Sequence, residues 1–202
     1  MQRRRVVGFD LDMTLVDSRP GVHAAICALN AESETAIDAD VVVERLGPPL
    51  EEELAHWVPA EDIAVMADRY RELYAVHGVP GTFALPGAAD ALAAVRSAGC
   101  GTLVVTAKFE LHARQCLSQA GLEAEHVVGW RHGPQKAESL LEHGAIAYIG
   151  DTPPDIEAAR CAGAVAVGVA SGPHGLDELR DAGADVVLES LREFPDWFTT
   201  LA

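Results

Sequence analysis

"VVGFDLDMTLVDS", residues 6–18, is the stretch on which the fold turns. Val6, Val7, Gly8 and Phe9 make a short apolar run of the kind found in a strand buried on both faces. Such a strand does not ordinarily run straight into two carboxylates one residue apart, because like charges repel and burial penalises each of them. Asp10 and Asp12 are therefore either a solvated strand end with a polar turn, or parts of a site that needs two carboxylates at one point in space.

Downstream the pattern changes twice. Through residues 20–77 apolar positions recur at helical spacing, in "PGVHAAICALNAE" and again in "AEDIAVMADRYRELYAVHG", with the turn "RLGPPL" between them and no convincing strand. Beyond "PGTFALPG" helix and strand alternate. Helical stretches at 87–98, 110–120, 136–143, 154–162 and 176–182 precede the apolar runs "GTLVVT", "EHVVGW", "AIAYIG", "AVAVGVA" and "DVVLES", and a last helical stretch closes the chain. This alternation predicts an α/β fold with a Rossmann-like open parallel sheet and helices on both faces. An α-helical cap interrupts it after the first strand, with the core at 1–15 and 82–202 and the cap at 16–81.

Composition narrows the function classes. The 202 residues suffice for one sizeable core, and the formal net charge of −16 opposes binding to nucleic acid or to an anionic membrane surface while attracting divalent cations. Cys27, Cys100, Cys116 and Cys161 are too widely spaced for a zinc site and read as reduced, mostly buried thiols. The opening "MQRRRVVGF" loses its apolar run at Asp10, too early for a signal peptide, and no run approaches the ~18 residues of a membrane span. The expectation is a soluble cytoplasmic protein, a monomer or homodimer.

In an open parallel sheet ligands bind at the carboxyl ends of the strands. The residues there are Asp10 and Asp12 after the first run, Thr106, Ala107 and Lys108 after "GTLVV", and Asp151 with Asp155 after "AIAYIG". Lys136 opens the helix before that last strand. Each has a bland explanation: a polar turn, a cap, a helix N-terminus, a solvated charge. One count weighs against them. Of 15 basic residues, Lys108 and Lys136 are the two lysines, so lysine occurs where a compact point charge is useful and arginine elsewhere.

The ordered set "VVGFDLDMT", "LVVTAK", Lys136 and "YIGDTPPD" resembles the haloacid dehalogenase superfamily, in the layout of its phosphoglycolate-phosphatase-like branch. "LPG" before the core helix and "DIEAARCAG" after the last motif are similar as well. The resemblance implies hydrolysis of a small phosphorylated metabolite through an aspartyl-phosphate, with Asp10 as nucleophile and Asp12 as general acid and base. It implies Mg²⁺ on Asp10, Asp151 and the backbone carbonyl of Asp12, with Asp155 behind them or reaching the metal through water. Lys136 and the Thr106 hydroxyl would hold the phosphoryl group, with backbone N–H groups near Leu11 and Ala107.

"RLGPPL" resembles the family's specificity loop, making Arg45, Gly47 and Pro48 candidates to face the leaving group beside Lys108. The motif lysine is often followed by proline in this family, whereas "QKAES" continues as helix. Asp12 argues against a dehalogenase, and the absence of lysine from residues 13–105 against a Schiff-base phosphonatase. A phosphomutase of the β-phosphoglucomutase type and a catalytically silent binding protein share the core and remain the alternatives.

Overall fold

Val6–Phe9 forms strand β1, buried at all four positions. The computed structural model describes residues 4–33 and 35–201, so positions 1–3 and 202 of the expected core lie outside the described residues. After β1 come β2 (Val16–Asp17) and helices α1 (Arg19–Glu32), α2 (Ala39–Glu44), α3 (Leu50–Leu54) and α4 (Ile63–Leu73). The alternating part follows as β3 (Phe83–Ala84), α5 (Ala88–Ser97), β4 (Gly101–Val105), α6 (Glu110–Gln119), β5 (His126–Val128), α7 (Pro134–His143) and β6 (Ala145–Gly150). It ends with α8 (Pro153–Cys161), β7 (Val165–Val169), α9 (Leu176–Asp181), β8 (Val186–Leu188) and α10 (Phe194–Leu201).

Six strands make one sheet in the order β5-β4-β1-β6-β7-β8, with parallel pairing throughout. The apolar runs are continuous because both faces are covered. Val7, Phe9, Val104 and Ile149 belong to one core with Phe194, while Leu103, Val105 and Tyr148 belong to a second with Leu140 and Ile156. At the centre β1 is crowded at Gly8, where a Cβ would stand 2.9 Å from side-chain atoms of both Leu140 and Tyr148 and would force them to shift. Because β1 lies between β4 and β6, the loops following these three strands meet at the point where the strand order reverses.

Two short strands escaped the sequence reading. β2 and β3 pair antiparallel, Val16 with Ala84 and Asp17 with Phe83, so the chain leaves and re-enters the core side by side. Helices α1–α4 lie between them, and α4 runs on into a π-helical turn at Tyr74–Gly78. This turn presses on α1 so closely that a Cβ on Gly21 would stand 2.1 Å from the Gly78 carbonyl oxygen.

The thiols depart in part from expectation. All four are free, Cys100 and Cys116 buried, Cys27 and Cys161 exposed. Helix α1 turns Gly21, Val22, Ala25, Ile26 and Leu29 inward, and Cys27 falls off that stripe. Among the described residues no helix is long and apolar enough to cross a membrane.

The α1 contact yields a stability test. Gly21→Ala must push the Gly78 backbone aside, and we expect a loss of about 1–3 kcal/mol in denaturant unfolding. An unchanged midpoint would contradict this close packing.

Candidate active site

Beyond Phe9 the chain leaves the strand. The Asp10 N–H still donates to the Ile149 carbonyl at 2.8 Å, but the Leu11 carbonyl then accepts the N–H groups of Leu15 at 2.9 Å and Val16 at 3.0 Å. Met13 adopts a left-handed φ of 59°, which folds the chain back on itself. The spacing of two therefore does not act through a continuing strand. A reversing loop brings both aspartates to one cleft, and they take different partners there.

Asp10 turns to a buried cluster. Its Oδ1 accepts from Lys136 Nζ at 2.8 Å, and the same ammonium donates to Asp155 Oδ1 at 2.6 Å. Carboxylate oxygens of Asp10, Asp151 and Asp155 lie within 4.8 Å of one another. Thr14 Oγ1 donates to Asp151 Oδ1 at 2.9 Å, while the N–H and hydroxyl of Thr152 donate to Asp155 Oδ2 at 3.2 and 2.6 Å. Two glycines make room for these acids. A Cβ on Gly150 would stand 2.3 Å from Asp155 Cβ, and one on Gly172 would stand 1.8 Å from Asp151 Oδ2.

The electrostatics of the cluster are unbalanced. Burial drives the Asp10 carboxyl up to about 7; Lys136 pulls it down, and Asp155 and Asp12 push it up again. Asp151 is also raised, by burial first and then by Asp10 and Asp155. Burial works against the Lys136 ammonium, but Asp10 and Asp155 more than restore it, so it stays charged. Three buried carboxylates against one lysine form an oxygen-rich, electron-rich pocket that could hold a hard divalent cation.

Asp12 stands apart from the trio. Lys108 Nζ lies 3.1 Å from its Oδ1 as an ion pair, off the hydrogen-bonding direction, so this buried oxygen makes no hydrogen bond among the described residues. Lys108 itself is sandwiched, its ammonium 4.5 Å from the centroid of the Tyr74 ring.

Of the residues singled out in the sequence, Asp10, Asp12, Arg45, Gly47, Pro48, Thr106, Ala107, Lys108, Lys136, Asp151 and Asp155 all line this one cleft. Leu11 does not: its side chain is fully buried, so only its backbone N–H could reach a ligand. Thr106 is buried, with its N–H on the Val128 carbonyl at 3.1 Å and its Oγ1 accepting the Lys108 N–H at 3.2 Å. Lys136 is the third residue of α7, which Pro134 opens, so the helix continues through the position where the family often has proline. The 45–48 turn sits over the start of α8, since a Cβ on Gly47 would meet Thr152 Cγ2 at 3.8 Å.

Sequence reasoning passed over Thr14, Thr152, Glu53, Tyr74 and Trp130. Thr14 lay inside "FDLDMT" and Thr152 inside "YIGDTPPD"; the other three carried no local signal.

The haloacid dehalogenase-like hydrolase family model matches residues 5–163, and a second model of the same kind matches 134–194. The chain belongs to the haloacid dehalogenase-like hydrolases. It is 31% identical to the "Probable phosphatase IndB" of Dickeya dadantii, over 93% of this chain and 90% of that one. It is 28% identical to the phosphoglycolate phosphatase of Chromobacterium violaceum, over 95% of each. A haloacid dehalogenase-like family protein of Streptococcus pneumoniae shares the fold with a TM-score of 0.82, at 23% identity over 98% of this chain and 100% of the other. Family and relatives together place the chain among phosphoric monoester hydrolases.

The raised carboxyls predict a pH-linked response to cations. The folded chain keeps the Asp10 proton up to about 7, whereas the unfolded chain releases it near 3.8. Between these values the metal-free fold binds more protons than the unfolded chain, so this group costs stability as pH rises. A divalent cation that takes the place of the proton should then raise the melting temperature more at about pH 8 than at about pH 5.5. Asp10→Asn should flatten that difference, and a cation effect independent of pH would contradict the assignment.

Proposed function

We propose that the protein is a Mg²⁺-dependent phosphatase that hydrolyses a small-molecule phosphomonoester through an aspartyl-phosphate on Asp10. The observation that carries this reading is the division of partners between the two leading aspartates: Asp10 on Lys136 inside the buried acid trio, Asp12 outside it on Lys108. The same proposal assigns 1–15 and 82–202 to a catalytic core and 16–81 to a cap that closes over it.

Asp10 Oδ1 is occupied by Lys136, which leaves Oδ2 to attack phosphorus. A bond forms between that oxygen and phosphorus as the bond to the leaving oxygen breaks. Asp12 delivers a proton to the departing alkoxide; with Oδ1 buried against Lys108, its other oxygen, Oδ2, is the one left to carry that proton. In the second half Asp12 takes a proton from water as the water attacks phosphorus, and inorganic phosphate leaves with the Asp10 carboxylate restored.

Lys136 orients Asp10 and offsets charge on the phosphoryl oxygens, and Thr106 with the Ala107 N–H borders them from the β4 side. Asp10, Asp151 and the Asp12 carbonyl would hold Mg²⁺, which supplies electrostatic stabilisation of the phosphoryl group. Asp155, with both oxygens already bonded to Lys136 and Thr152, positions the lysine. The relatives' names support a phosphomonoester as substrate.

Phosphate release from p-nitrophenyl phosphate and a panel of phosphometabolites, with and without Mg²⁺, tests this. Asp10→Asn should lower kcat by on the order of a thousandfold or more. Asp12→Asn should lower it about 10²–10⁴-fold while cation binding persists. Full activity in either variant would contradict the roles given. Return of a labelled phosphoryl group to a sugar phosphate, instead of its release as inorganic phosphate, would point to a mutase.

A further inference from the structure

The cleft holds charge pairs beyond those that the phosphatase reading uses. Six carboxylates and four cations line it, and each of the four cations has an acidic partner. Lys136 is on Asp10 and Asp155, Lys108 is on Asp12, Arg45 is 3.6 Å from Glu53, and Arg71 pairs with Glu51 and Asp68. On the cap side, therefore, among the described residues, no cation of the lining is left over for a second anion.

Glu53 is the pivotal group there. It lies on α3 and is buried, with Oε1 accepting the Trp57 indole N–H at 2.8 Å and facing Arg45. Both contacts fall on Oε1, so among the described residues Oε2 remains an acceptor without a donor. A leaving group with its own carboxylate, such as glycolate, would place like charge against this fixed and largely desolvated acid. A leaving group with hydroxyls could donate to Oε2 instead.

Aromatic surface points the same way. The chain has only five Phe, three Trp and three Tyr. Four of these rings, Tyr70, Tyr74, Phe109 and Trp130, line this cleft. Trp130 stands 56% exposed at its rim, on a backbone with a left-handed φ of 54°. These rings pack on one another and on Lys108 and Arg71, so what they offer a leaving group is the apolar rim at Trp130. Such a rim beside a carboxylate acceptor suits a sugar, polyol or nucleoside body better than a short hydroxy acid.

We infer that Glu53 is a specificity-determining residue that rejects a second anion and selects phosphomonoesters with an uncharged, hydroxyl-rich leaving group. The inference rests on the phosphatase reading and narrows it.

The test compares kcat/KM for phosphoglycolate, glycerol phosphate, ribose 5-phosphate and a nucleoside 5′-monophosphate, with p-nitrophenyl phosphate as reference. The wild-type protein should favour at least one of the three neutral, hydroxylated leaving groups over glycolate by about tenfold or more. Their ranking separates polyol, sugar and nucleoside. Glu53→Gln keeps an acceptor for Trp57 and removes the charge, and it should raise the ratio of phosphoglycolate to ribose 5-phosphate turnover about tenfold. If phosphoglycolate is the best wild-type substrate, or a folded Glu53→Gln leaves that ratio unchanged, the inference is overturned. The wild-type ranking decides alone if the variant does not fold. Absence of hydrolysis of p-nitrophenyl phosphate and every other ester would instead sink the phosphatase reading itself.

Discussion

Gathering Asp10, Asp151 and Asp155 within 4.8 Å of one another in a buried place is the constraint on which the rest of the structure depends. Carboxylates resist such company, because burial and mutual repulsion both favour the protonated form. The fold holds them by covalent necessity rather than by attraction. Asp10 is fixed by the end of β1, Asp151 and Asp155 by the end of β6 and the start of α8. The relieving charge, Lys136, arrives from α7 next to β6. Glycine at 150 and 172 is part of the same arrangement, since a side chain at either would occupy the space of an acid. The result is a site made ready for positive charge from outside, as a centre for phosphoryl transfer requires.

A second charge pair ties this centre to the helices above it. Lys108 leaves the end of β4, meets Asp12 and lies on the ring of Tyr74 in the π-helical turn that extends α4. The adjoining loop joins in, since the Trp130 N–H donates to the Lys108 carbonyl at 3.0 Å and Arg71 lies over the Trp130 ring. Asp12 is thus addressed by a lysine that the π-helical turn holds, whereas Asp10 is addressed by Lys136 of α7. The two aspartates differ in surroundings although one residue separates them.

Much of this was legible in the sequence, and the part that was not has physical reasons. Strands β1, β4, β6 and β7 announced themselves because a strand covered on both faces must be apolar at every position. The rarity of lysine marked Lys108 and Lys136, and both stand in the cleft. The reversal after β1 was not legible, because a spacing of two cannot distinguish a pleat from a turn set by one residue at positive φ, Met13. β2 and β3 have two residues each, too few for any periodic signal. Glu53 could not be found at all. "LEEEL" reads as an acidic first turn, and only packing against Trp57 and Arg45 separates its third glutamate from two solvated neighbours.

The central claim is that the carboxylate at the end of β1 becomes covalently attached to phosphorus. Rapid acid quenching of the enzyme during turnover of p-nitrophenyl phosphate with Mg²⁺, followed by peptide mass spectrometry, reads this directly. The account predicts a phosphoryl group on Asp10, absent from Asp10→Asn and accumulating in Asp12→Asn if hydrolysis of the intermediate slows more than its formation. A phosphoryl group on any other residue, or turnover through an enzyme that never carries one, would contradict it.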